Sequence, residues 1–371
     1  MTIHDPFSIQ TQKHQHHDKH HACCFIIPPD ILNRLAESGN AATRSGAIDS
    51  LDLSARMRGR REALMGMTAL AVSTGTKRRT IYNAQNARTL PGKLVRGEGD
   101  ARSKDTAVNE AYDGAGKTYD FFSKIFQRNS IDNRGMRLDS TVHYGRGYQN
   151  AFWDGQQMVY GDGDGEIFNR FTRSLDVIGH ELTHGVTEYE AGLIYEDQPG
   201  ALNEHFSDVF GSLVRQYAKK QTAAKADWII GVGLFTKVVN GVGIRSMKAP
   251  GTAYDDPQIG KDPQPDHMKR IVKTTSDHGG VHIKSGIPNK AFYEAAIRLG
   301  GNAWDKAGRI WYETLCSRMN AKSQFQECAN ATHDVARQLF GVDSAEQRAV
   351  REAWEAVGLK VATVTVARRT R

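Results

Sequence analysis

His180-Glu181-Leu182-Thr183-His184 is the stretch on which the reading of this chain turns. It lies inside a helical pattern, Ser174 to Tyr189, where Leu175, Ile178, Leu182 and Val186 form an apolar stripe. Histidines at i and i+4 leave the same face of a helix, so both imidazoles can reach one zinc ion. The glutamate after the first histidine then points at a water on the metal without ligating it. The alternative is two helix histidines and a surface glutamate, and a third ligand separates the readings. Glu204, in Asn203-Glu204-His205-Phe206-Ser207-Asp208, follows His184 by 20 residues. Leu202, Phe206, Val209, Phe210, Leu213, Val214 and Tyr217 give that segment a buried helix face. Two antiparallel helices joined by such a loop bring Glu204 against the histidine pair. Asp208 faces the same way and can accept from the outer nitrogen of a ligand histidine.

Upstream, Asn150-Ala151-Phe152-Trp153 and Gln157-Met158-Val159-Tyr160 flank Asp154-Gly155, a hairpin signal, and Thr141 to Gly145 reads as a further strand. Ala107 to Phe126 has helical spacing, as do Pro288 to Leu299, Trp304 to Met319 and Ser344 to Val357. Before them, Ile26-Ile27-Pro28-Pro29-Asp30-Ile31-Leu32 opens a short amphipathic helix ending near Gly39-Asn40, and an arginine-rich helical piece follows. The expected division is a His-rich leader and short propeptide over 1–67, a strand-rich domain over 68–187 that includes the histidine helix, and a helical domain over 188–371. The leader reads as an appendage, too small for a core of its own. Asp162 and Asp164, spaced by glycines, read as a turn.

With these motifs in order, the chain from about residue 107 onward resembles the thermolysin family of zinc metallopeptidases. The matching stretches are Asn150 to Gly155, Met158 to Gly163, His180 to Tyr195, Asn203 to Asp208, Arg245-Ser246-Met247 and Gly279-Gly280-Val281-His282-Ile283. The leader is similar to that of the protealysin-type subgroup, with Pro28-Pro29-Asp30 where that subgroup has a Pro-Pro-Leu-like element. The resemblance implies an α+β, two-domain fold with zinc in the cleft, bound by His180, His184 and Glu204 with Asn203 and Asp208 behind them. It implies Glu181 as general base, Tyr195 and His282 as donors to the oxyanion, and Asp277 as the carboxylate orienting His282. Arg245, Asn150 and Ala151 would hold the substrate backbone. Phe168, Phe171, Val177 and Ile244 would line an apolar pocket, hence cleavage on the N-terminal side of bulky hydrophobic residues in proteins and peptides. The propeptide would occupy the cleft until cut near 60–75. The family's paired calcium site keeps Asp176 and Asp227, but Arg215, Ile229 and Val232 replace other ligands. That double site is expected to be lost, with Arg215 pairing instead to Asp176 or Asp227; a single calcium elsewhere stays open.

Composition narrows the rest. Of 371 residues 39% are hydrophobic and 25% charged, ordinary for a globular protein. The longest apolar candidate, Trp228 to Ile244, is broken by Lys237 and Asn240, so no membrane span is expected. The net charge of +7 is scattered apart from the Arg368-Arg369-Thr370-Arg371 tail, so no nucleic-acid partner is expected. Four cysteines are no disulfide framework; Cys316 and Cys328 pair only if the fold brings them together, and Cys23 or Cys24 could place a thiolate on the metal or simply pack. The family is mostly secreted, yet no signal peptide is recognisable, so secretion by resemblance and a cytoplasmic site both stand, and a monomer is expected. A zinc-bearing peptide-binding module without catalysis and an aminopeptidase are the rival functions. Glu181 argues against the first, and no acidic anchor for an α-amino group is identifiable for the second.

Overall fold

The computed structural model describes residues 24–64 and 76–361. The histidine-rich start, Cys23, the arginine tail and most of the expected cleavage region lie outside the described residues. Strand β1 is Cys24–Phe25, followed by helices α1 (Pro29–Ser38) and α2 (Ala41–Leu64). Next come β2 (Arg79–Asn83), β3 (Lys93–Arg96), α3 (Thr106–Phe126), β4 (Leu138–Val142), β5 (Ala151–Trp153) and β6 (Gln157–Tyr160). The site helices follow, α4 (Leu175–Glu190) and α5 (Asp197–Lys219), then four short strands, β7 (Ile229–Ile230), β8 (Arg245–Ser246), β9 (Asp255–Asp256) and β10 (Gly260–Lys261). Helices α6 (Ser276–Lys284), α7 (Gly286–Leu299), α8 (Ala307–Ser317), α9 (Phe325–Phe340) and α10 (Ala345–Ala356) complete the chain.

Six strands form one sheet in the order β1-β5-β6-β4-β2-β3. Asp154-Gly155 makes the β5–β6 turn: Asp154 accepts from the backbone N–H of Gln156 and Gln157, and Gly155 takes φ 99°. The pleat then sorts the side chains. Ala151, Trp153, Met158 and Tyr160 join the main core, while Phe152 and Val159 point to the opposite face. Helix α3 lies against β2 and β4, started by Asp105, whose carboxylate caps Ala107 and Val108. The strand expected over Thr141 to Gly145 is displaced: β4 begins at Leu138 and stops at Val142, because His143 turns to φ 55°.

The leader is no appendage. β1 pairs antiparallel with β5, Cys24 opposite Trp153 and Phe25 opposite Phe152. Ile26, Ile27, Ile31, Leu32 and Leu35 are buried in the main core. Leu53 and Met57 of α2 pack with Tyr144, Tyr148, Phe152 and Val159 over the sheet's other face. A segment too short for its own core has borrowed one.

Helices α4 and α5 pack tightly along each other. Gly211 permits this: a Cβ there would sit 2.4 Å from the Asp176 carbonyl oxygen and 2.9 Å from the His180 nitrogen. Behind them Trp311 stacks on Trp354 with centroids 6.2 Å apart. Cys316 and Cys328 are both unbridged. No helix among the described residues is long and apolar enough to cross a membrane.

Candidate active site

Four elements meet at the cleft: α4 brings His180, Glu181 and His184, α5 brings Glu204 and Asp208, β8 brings Arg245 and α6 brings His282. His180, Glu181 and Glu204 are fully buried and His184 nearly so. The Nε2 atoms of His180 and His184 stand 2.9 Å apart. His180 Nδ1 donates to Asp208 Oδ1 at 2.8 Å and His184 Nδ1 donates to Asn203 Oδ1 at 2.8 Å. With their protons committed outward, the two Nε2 atoms confront each other as lone pairs, which repel unless a cation lies between them. Glu204 supplies the third donor, Oε1 3.4 Å from His184 Nε2 and Oε2 3.5 Å from His180 Nε2. Its Oε2 is buried without a hydrogen-bond partner among the described residues. Two nitrogens and a carboxylate oxygen so placed fit a zinc ion with an open position.

The electrostatics match. Burial pushes His184 down to about 3, against the pull of Glu204, which keeps the ring in the neutral form a metal needs. Burial alone would raise Glu204, but His282, His184, His180 and Arg245 together hold it below the usual carboxylate range. Asp208 is likewise held low against burial by Arg245 and His180. Arg245 grips it with a fork, Nε to Oδ2 and Nη2 to Oδ1, each at 2.8 Å.

Glu181 sits beside the ligands, its Oε2 accepting the Trp153 backbone N–H at 3.1 Å. Tyr195 donates its hydroxyl to Glu204 Oε1 and lies 3.3 Å from His282 Nε2. His282 donates from both nitrogens, Nδ1 to Asp277 Oδ1 at 2.7 Å and Nε2 to the Phe25 carbonyl at 2.8 Å. Burial disfavours its charge, but Asp277 and Glu204 outweigh that and push it up to about 9. Asp277 is set by an unusual first turn of α6, where Asp277, His278, Gly279 and Gly280 have φ of 54°, 51°, 82° and 79°. Left-handed backbone at two non-glycine residues costs on the order of 1–3 kcal/mol each and persists where neighbours over-determine it.

The remaining expected residues fall in two groups. Asn150, Ala151 and Arg245 lie on the leader: Ile26 N–H donates to the Ala151 carbonyl at 3.2 Å, Arg245 Nη1 to the Ile26 carbonyl at 3.2 Å, and Ile27 N–H to Asn150 Oδ1 at 3.0 Å. Phe168, Phe171, Val177 and Ile244 are buried in the core that also takes Ile26, with Phe168 and Phe171 ring centroids 5.7 Å apart.

One chain of residues behind the site escaped the sequence reading. Trp311 Nε1 donates to His205 Nε2, His205 Nδ1 to Asn289 Oδ1, and Asn289 Nδ2 to Asp208 Oδ2, each at 2.8 Å. Every proton in it has one direction, and burial lowers His205 to about 4, in keeping with its neutral form. Its only sequence signal is a histidine next to Glu204.

A helix-borne histidine pair, a buried carboxylate and a flanking glutamate in a cleft beside a strand that takes up an extended segment define the class of metal-dependent peptidases. The comparisons agree. Residues 66–188 match the family model described as thermolysin metallopeptidase, catalytic domain, and residues 191–359 the one described as its alpha-helical domain. An extracellular metalloprotease of Pectobacterium carotovorum is 51% identical over 91% of this chain and 97% of its own. Protease PrtS of a Photorhabdus strain is 48% identical over 91% of this chain and 92% of its own. The precursor of protealysin, a metalloproteinase from Serratia proteamaculans, superposes with a TM-score of 0.83 at 54% identity, covering 91% of this chain and 99% of that one. The chain belongs to the thermolysin family and is a metalloendopeptidase.

Proposed function

We propose that this protein is a secreted zinc endopeptidase made in latent form, cutting peptide bonds on the N-terminal side of bulky hydrophobic residues. The observation that carries the reading is the leader itself: Phe25, Ile26 and Ile27 lie along β5 and engage His282, Ala151, Arg245 and Asn150 through their backbone. An extended peptide adding to a sheet edge is how a protease holds any sequence, and the leader fills that place.

His180, His184 and Glu204 would hold zinc, which when bound would supply a Lewis acid for the scissile carbonyl and lower the pKa of a water molecule. Glu181, beside the ligands, would take the proton from the attacking water and return it to the leaving nitrogen. His282, already protonated beside Asp277, and Tyr195 donate to the carbonyl oxygen as it gains charge. Arg245 and Asn150 fix the peptide so that the carbonyl stays in reach. Asn203 and Asp208 hold the ligand rings. Phe168, Phe171, Val177 and Ile244 take the side chain after the cut. Secretion is supported by the name of the Pectobacterium relative. The calcium pair is replaced by Arg215, whose Nη1 reaches Asp227 Oδ1 at 3.0 Å, the Ile229 carbonyl at 2.9 Å and Asp176 Oδ2 at 3.4 Å.

The test is cleavage of a quenched peptide with Phe or Leu after the scissile bond, before and after the leader is removed by limited proteolysis. Cleavage is expected only after removal, abolished by 1,10-phenanthroline and by Glu181→Gln. Equal activity before removal sinks the latent form. A preference for charged residues after the cut sinks the apolar pocket.

A further inference from the structure

If the leader lies in the cleft like a substrate, it ought to be cut there. The contacts identify the bond at risk. His282, placed as an oxyanion donor, holds the Phe25 carbonyl at 2.8 Å, while Ile26 N–H bonds the β5 edge and the Ile26 carbonyl is taken by Arg245 at 3.2 Å. Phe25–Ile26 therefore stands in the register of a scissile bond. The residue after it is a bulky aliphatic, the kind the pocket accepts. Hydrolysis would add the oxygen and one hydrogen of water to the Phe25 carbonyl carbon, as a carboxyl group, and the second hydrogen to the Ile26 nitrogen.

One residue upstream sits Cys24. It is 3% exposed and packs with Tyr195 and Val281. Its sulfur, a ring nitrogen of His184 and a carboxylate oxygen of Glu204 all lie within 4.8 Å of one another. Donor atoms around tetrahedral zinc stand roughly 3.3–3.7 Å apart, so a small side-chain adjustment brings the sulfur into the set. On the Glu204 carboxylate, Oε2 is buried without a hydrogen-bond partner among the described residues, which leaves it free to meet a cation. Strand pairing also fixes Cys24 there, opposite Trp153, whose backbone N–H holds Glu181.

Resting on the reading of the leader as occupant of the cleft, we infer that Cys24 supplies the fourth ligand to the zinc ion and thereby keeps the leader's Phe25–Ile26 bond uncut. Thiolate is a strong zinc ligand, and its binding releases one proton to solvent and leaves no room for the attacking water beside Glu181. The leader is thus a substrate in register that carries its own block.

Cobalt(II) reports the ligand directly. The full chain exchanged with Co²⁺ should show a near-ultraviolet thiolate-to-metal charge-transfer band that is lost in Cys24→Ser and kept in Cys23→Ser. Zinc-loaded Cys24→Ser should release a fragment ending at Phe25, read by intact mass, while the wild type stays whole at that bond and Cys24→Ser/Glu181→Gln is not cut. The inference is overturned by a wild-type cobalt protein without the band, by a band that follows Cys23, or by folded, metal-loaded Cys24→Ser that stays intact at Phe25–Ile26. Binding of a fluorescent hydrophobic peptide to full-length Glu181→Gln separates this from failure of the underlying reading. Exclusion of that peptide with no cobalt band removes the cysteine alone; tight binding removes the leader from the cleft and the inference with it.

Discussion

Asp277 shows how one carboxylate sets the behaviour of another residue's proton. It accepts from both the ring and the backbone N–H of His282, at 2.7 and 2.9 Å, and is the first group to offset the burial that would strip His282 of its charge. Asp277→Asn keeps the shape and removes the charge, so His282 should lose its proton at lower pH. The basic limb of the kcat/KM profile of leader-free enzyme is expected to move toward neutrality, with the pH-optimum rate down about 10-fold or more; an unmoved limb would show that His282 acts neutral. At this scale the sequence was most legible where spacing is local. His180, Glu181 and His184 share one helix turn, so their convergence follows from geometry alone. The Trp311–His205–Asn289 relay joins three helices, and nothing in the order of residues says that they meet.

Element ends carry a different kind of information. Asp105 caps α3 and accepts from His143 Nε2 at 2.8 Å, while Asp162 takes His143 Nδ1 at 2.8 Å. Hydrogen bonding to Asp162, then to Asp105, overcomes partial burial and raises His143 to about 9. A histidine with a raised folded-state pKa stabilises fully below its unfolded value of about 6.5, and that contribution disappears as pH climbs through about 9. Wild type should therefore lose more denaturant resistance between pH 6 and pH 10 than His143→Gln does; parallel losses would deny the pair its role. The glycine-spaced aspartates were legible as a turn, which Asp164 makes by accepting from the backbone N–H of Glu166, Ile167 and Phe168, but Asp162 was not legible as a histidine's partner. Helix limits were readable from apolar periodicity, as α3 and α7 show, whereas β1 was not. Two residues of strand have no pattern of their own, and only the β5 edge makes them a strand.

Across the whole molecule, Arg215 ties α5 to the start of α4 and to the loop before β7 through Asp176 and Asp227. Asp176 is fully buried, and burial raises its pKa despite Arg215. Breaking such a pair strands a charge, so Arg215→Ala should cost about 3–5 kcal/mol in unfolding free energy. Added calcium should leave the wild-type melting temperature where it is; a rise of several degrees would mean that the ion still binds. That an arginine cannot ligate calcium was legible in the sequence, though its hold on both aspartates needed the fold. Less visible was the second task of the leader. Leu53 and Met57 cover Tyr144, Tyr148 and Phe152, and Ser54 Oγ meets the Tyr148 hydroxyl at 2.9 Å. Cutting the leader away should uncover this aromatic wall, seen as a rise in fluorescence of an apolar dye; no rise would mean the wall stays clothed. The proposed removal of the leader would trade a sealed, storable molecule for one with a sticky flank, so that the protease would begin to age at the moment it begins to work.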